Sequence, residues 1–97
     1  MIEVFDKFKT LIIQKEYFDA HEVLEDIWQP MRKSSHPDRD IIRGFINAAV
    51  SLELKKRGRS NYLKVWQTYE KHKSKVSNNK LYNDLIIFLD KYKEEVS

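Results

Sequence analysis

Apolar residues recur along this chain at steps of three and four rather than two, which predicts helices from end to end. In the first segment Ile2, Phe5, Phe8 and Ile12 mark one stripe, widened by Val4 and Leu11. A second segment, from about Tyr17 to Met31, puts Phe18, His21, Leu24, Trp28 and Met31 on adjoining faces. Pro30 belongs near its end, because a proline inside a helix costs ~3 kcal/mol. Arg32 to Pro37 reads as a loop. The third segment opens near Pro37-Asp38, where the missing proline N–H costs nothing, and carries Ile41, Ile42, Phe45, Ile46, Ala49 and Leu52. Lys55-Lys56-Arg57 before Gly58 supplies the cations and the glycine that end a helix. Ser60 or Asn61 caps a fourth helix bearing Leu63, Trp66, Tyr69 and Val76, and Ser77-Asn78-Asn79 breaks it. The fifth carries Leu81, Leu85, Phe88, Leu89 and Tyr92.

The expected architecture is a single all-α domain over residues 1–97, a compact bundle of five helices with the third at its centre. Gly44, Ala48, Ala49 and Ser51 make that third helix narrow, so neighbours can approach to the ~8–10 Å of packed helix pairs. Its expected core is Phe5, Phe8, Phe18, Leu24, Ile42, Phe45, Ile46, Leu52, Trp66, Leu85 and Phe88.

Composition narrows the chemistry. The 97 residues include no cysteine, which excludes disulfides, thiolate zinc sites and cysteine nucleophiles. Five Phe, five Tyr and two Trp argue for a folded chain. The longest apolar run, Leu85 to Leu89, falls far short of the ~20 residues of a membrane span. No basic segment followed by an apolar stretch opens the chain, so a cytoplasmic location without membrane contact is expected. Charge is divided unevenly. Residues 1–30 hold seven acids and three bases, whereas residues 55–80 hold nine bases and one acid. Lys55, Lys56, Arg57, Arg59, Lys71 and Lys75 form the expected basic patch. No helix-turn-helix or other groove-reading signature accompanies it, so nucleic acid is not an expected partner.

One apolar face carries polar residues. On the second helix His21, Glu25 and Trp28 stand at i, i+4 and i+7, with Glu22 beside Glu25. Turned inward, these groups need partners, because a lone buried charge is strongly unfavourable. Arg43 and Asn47 are four apart on the third helix and Arg39 lies one turn earlier, so a buried His–Glu–Arg–Asn network between two helices is expected. Such a network can be structural. It can also hold a divalent metal at His21 and Glu25, although H-E-x-x-H fails at Glu25 and no histidine follows a glutamate at the di-iron spacing. Or one of the pair can serve as an acid or base. His36 and His72 stand apart and are expected in solvent.

Glu16-Tyr17-Phe18-Asp19-Ala20-His21-Glu22-Val23-Leu24-Glu25-Asp26-Ile27-Trp28 resembles the Y-F-E-A-H-E-x-L-E-x-x-W stretch of a small helical family, domain of unknown function 309. Arg39 to Arg59 resembles its second stretch, with agreement at Arg39, Gly44, Ile46, Ala49, Arg57 and Gly58, and Asn47 in place of a glutamine. The family's second-motif histidine falls at Leu54, its other glutamine at Arg43, and the asparagine after glycine at Arg59. The resemblance implies an all-helical bundle and marks the His21/Glu22/Glu25/Trp28 face; it supplies no activity. The chain therefore reads first as a non-enzymatic binding or assembly module, self-associating or with a protein partner, and without a cofactor. The alternative is a metal-assisted or acid/base enzyme, hydrolase-like, centred on His21 and Glu25.

Overall fold

The helical spacing is realised as five α-helices in a computed structural model, which describes residues 1–75 and 79–96. These are α1 (Ile2–Ile13), α2 (Tyr17–Lys33), α3 (Arg39–Lys56), α4 (Tyr62–Lys73) and α5 (Lys80–Val96), with no strand among the described residues. Val76, Ser77 and Asn78, read as the end of the fourth helix and the break after it, lie outside the described residues. α3 is the central element: α2 and α4 pack on either side of it, while α1 packs on α2 and touches α5. Its apolar stripe points into one continuous core. There the fully buried Phe45 meets Phe5 edge-on at 5.8 Å, Tyr82 at 6.2 Å and Tyr69 at 6.4 Å between ring centroids. Burial of such rings is the dominant favourable term in folding.

Hydroxyls tie the periphery to this core. Tyr82 donates to Asp38 Oδ2 at 2.9 Å, joining α5 to the start of α3, and Tyr69 donates to Asp90 Oδ1 at 3.1 Å, joining α4 to α5. Burial lifts both phenols, and Tyr17, above their usual range, so they remain protonated. Ser51, buried in α3, donates to the Tyr62 carbonyl at 2.6 Å and so fixes where α4 begins.

The first three helices end in the same way. After α3, the Arg59 amide bonds to the Leu54 carbonyl and the Gly58 amide to the Lys55 carbonyl, with Gly58 at φ +73°. This Schellman closure was signalled by the glycine. α1 and α2 close identically, through Lys15 (φ 63°) and Ser35 (φ 53°). α5 begins at a side-chain cap, with Asn79 Oδ1 accepting the Tyr82 amide at 3.1 Å.

Four expectations need correction. Phe18 and Leu63 are exposed rather than inside. Each follows a tyrosine, Tyr17 or Tyr62, that takes the inward direction, and one helical residue turns the side chain by about 100°. Phe88 is only partly buried, packed on the edge of the core with Tyr92 stacked on it. α2 runs past Pro30 to Lys33, because Pro30 is exposed in the last turns, where water can satisfy the carbonyl it leaves unpaired. His72 is only partly solvated. It lies in the α3–α4 contact against Gly44, its Nδ1 buried and facing no hydrogen-bond partner among the described residues.

That burial, aided by the cations of Lys75, Arg43 and Lys71 and opposed by Asp40, holds the His72 imidazole below its usual 6.5. A histidine depressed in the folded state contributes full stability above the unfolded pKa. That contribution is lost as pH falls through about 6.5 toward the folded value, because the unfolded chain takes up the proton first. The urea midpoint is therefore expected to drop between about pH 7.5 and pH 5, and His72→Gln to flatten the drop. An equal drop in the variant would assign the effect to other groups.

Candidate functional site

The N-terminal half of α2 and the C-terminal half of α3 run antiparallel and leave a groove of about 270 Å³ between them, lined by Tyr17, Phe18, His21, Val50, Glu53, Leu54 and Arg57. Its floor is apolar because Tyr17 turns under α2 while Val50 and Leu54, four apart on α3, share a row. Phe18 stands at its edge, 53% exposed. Charged pairs bound it: Arg57 bonds Glu53 one turn back on α3, and His21 bonds Glu25 one turn on in α2.

His21 is fixed from both ends. Its Nε2 lies 3.1 Å from Glu25 Oε2 and its Nδ1 2.8 Å from the Phe18 carbonyl, with the Phe18 ring edge-on at 5.1 Å. Both neighbours are acceptors, so whichever ring nitrogen carries a proton has a partner for it. The side chains are 18% and 43% exposed, which places the pair at the groove rim rather than in the core.

The expected cluster is thus brought together only in part. His21, Glu25 and Trp28 do share a face of α2, but Arg43 and Asn47 do not join the pair. Arg43 is exposed on the outer side of α3, its guanidinium 5.7 Å from the Trp28 ring centroid, and Asn47 makes no side-chain hydrogen bond among the described residues. Arg39 turns away to the His36 carbonyl and toward Asp40. Glu22 is exposed on the outer side of α2, over a shallow depression shared with Glu25 and Asp26. A buried His–Glu–Arg–Asn network does not form. The i, i+4 pairing inside α2 already satisfies His21, and the outward row of α3 lies too far toward solvent to replace it.

His36 remains exposed, but its Nδ1 accepts the Asp38 amide at 3.0 Å and so closes the turn into α3. Among the described residues no three His, Asp, Glu or Cys side chains gather in a metal-binding arrangement, so His21 and Glu25 offer two donors. The basic residues divide between the two ends of the bundle. Lys55 and Lys56 donate to the carbonyls of Val96 and Lys15 at one end with Arg57 and Arg59, while Lys71 and Lys75 flank His72 at the other, where Lys75 bonds Asp40 at 3.3 Å. No described helix is long and apolar enough to cross a membrane.

A second feature of this face escaped the sequence reading. Arg32 of α2 also lies over Trp28, at 5.5 Å, so one indole carries two guanidiniums from two helices. Arg32 at i+4 from Trp28 was the available signal. Residues 5–73 match the family model of a domain of unknown function (DUF309). No curated protein and no solved structure matches the chain.

Proposed function

Since the chain belongs to the DUF309 family of domains of unknown function, whose description carries no activity, we propose a function from the α2–α3 face itself: a non-enzymatic assembly module that pairs with a second copy of this chain. The observation that carries this reading is Phe18, more than half exposed at the mouth of an apolar groove that its own ring does not fill. Beyond the groove's own lining, charges of opposite sign stand on the two helices. On α2, Asp19, Glu22 and Asp26 are exposed and make no ion pair among the described residues; beyond the end of α3, Arg59 is likewise exposed and unpaired among them, beside Arg57. A two-fold axis along the groove would lay α2 of each copy over α3 of the other. Phe18 would then enter the partner's groove and Asp19 approach the partner's Arg59, a self-complementary contact of the isologous kind.

The acid/base reading has the His21–Glu25 contact in its favour. A general base or a metal ligand, however, needs a free ring nitrogen, and both nitrogens of His21 face acceptors. Assembly requires no such rearrangement.

Sedimentation equilibrium of the full chain tests the proposal. Dimers are expected at micromolar concentration, weakening with salt. Phe18→Ser should raise the dissociation constant by about tenfold or more, with Tm unchanged at concentrations where both proteins are monomeric, since the ring it removes is exposed. Asp19→Lys should weaken pairing and Asp19→Lys/Arg59→Glu restore it. A chain monomeric at every concentration, or a dimer indifferent to Phe18→Ser, would overturn the reading.

A further inference from the structure

At the other end of the α2–α3 face, we infer that Arg32, Arg43 and Trp28 form a binding site for the phosphoryl group of a small phosphate monoester. Arg32 and Arg43 come from different helices and converge on one indole, their guanidinium carbons 5.5 and 5.7 Å from its centroid. A guanidinium that stacks on a ring uses its face and leaves its N–H fork free. Neither fork is used: among the described residues neither arginine side chain takes part in a hydrogen bond or ion pair. The reason lies in the sequence. No acid stands three or four residues from Arg32, and Asp40, three before Arg43, is held by Lys75 at 3.3 Å.

Further donors lie idle here. Among the described residues the Trp28 indole N–H is buried without an acceptor, and the Asn47 amide, one turn beyond Arg43, makes no side-chain hydrogen bond. Around the neighbouring His72 the cations of Lys75, Arg43 and Lys71 outnumber the one opposing acid, Asp40. Two guanidiniums match the double charge of a phosphate monoester, and their planar forks match its oxygens in pairs. A nucleic acid or an anionic membrane would call for a continuous basic track. Here the lysines and arginines of residues 55–59 lie at the opposite end of α3, about 20 Å away along a helix of 1.5 Å per residue.

The test is a titration of the full ¹⁵N-labelled chain with phenyl phosphate and with inorganic phosphate, followed at the indole and arginine Nε–H signals. The expected result is a saturable shift of the Trp28 indole and of both arginines, while the Trp66 indole, which donates to Glu70 at 2.9 Å, stays in place. Arg43→Gln and Arg32→Gln should each weaken binding by about tenfold with Tm unchanged, because both residues are exposed. Lys56→Gln should leave affinity as it was. Shifts that fail to saturate, that persist in Arg43→Gln, or that centre on Lys55 and Lys56 would overturn the site. So would tighter binding of a single-stranded oligonucleotide that Arg43→Gln does not weaken. The observations behind this site are separate from those behind self-association, and monomeric protein serves equally well for the titration.

Discussion

Phe45→Ala is expected to remove about 3–5 kcal/mol of unfolding free energy, the range for a fully enclosed aromatic ring. Phe45 is completely buried at the middle of the central helix, and its ring meets rings from α1, α4 and α5. Rings from three separate helices enclose it, so none can move into the cavity without leaving its other contacts. Domains of this length have a total stability of roughly 5–15 kcal/mol, and the substitution should therefore populate unfolded chain at moderate temperature. Urea unfolding would give the loss as a lower midpoint at unchanged slope. Phe18→Ala is the matched control, with a change under about 0.5 kcal/mol, as for ordinary surface positions. Equal losses at the two positions would mean that the inward face of α2 or α3 has been misassigned.

Gly44→Ala runs against helix propensity, and the sign of its effect is informative. Alanine favours a helix over glycine by about 1 kcal/mol. A Cβ at position 44, however, would stand 2.7 Å from the Cβ of His72, an atom bound directly to the α4 backbone. No rotamer change relieves that contact; α4 itself must move away from α3. Overpacking of this kind costs about 1–3 kcal/mol and sometimes more, so a net loss of about 1–2 kcal/mol is expected. The diagnostic measurement is a double-mutant cycle with His72→Gly, which removes the offending atom: Gly44→Ala should then cost less, with a coupling of about 1 kcal/mol. Additive effects would show that the helices separate freely.

How much of this was legible can be read from particular residues. Spacing alone marked five helices and the central one, because an apolar stripe is a property of one segment and its period. The same holds for His21 and Glu25, whose contact lies within a single helix. Contacts between helices follow different rules. The offset and rotation of α2 against α3 depend on the whole core, and this is why Arg43 came to rest on Trp28 rather than on Glu25. Gly44 was legible as a narrow place in α3, but not its partner His72, which is brought there by the length of α4 and the turn at Ser51–Tyr62. Phe18 and Leu63 show how closely neighbouring directions compete: with two aromatic or apolar residues in succession, composition does not say which one the core takes. The closures at Lys15 and Ser35 lacked the glycine that announced the third.

Those closures determine what kind of recognition α2 can perform. The turn before it, closed by the Lys15 and Glu16 amides, and the turn after it, closed by those of Ser35 and His36, leave no slack at either end. The helix that presents Phe18, His21, Trp28 and Arg32 is thus a clamped post whose conformational freedom was surrendered on folding. A partner that docks there pays for its own ordering and for side-chain rotamers, but little for the backbone of this chain. Association should accordingly proceed as the meeting of two rigid surfaces, with rates governed by charge and orientation rather than by a preceding rearrangement.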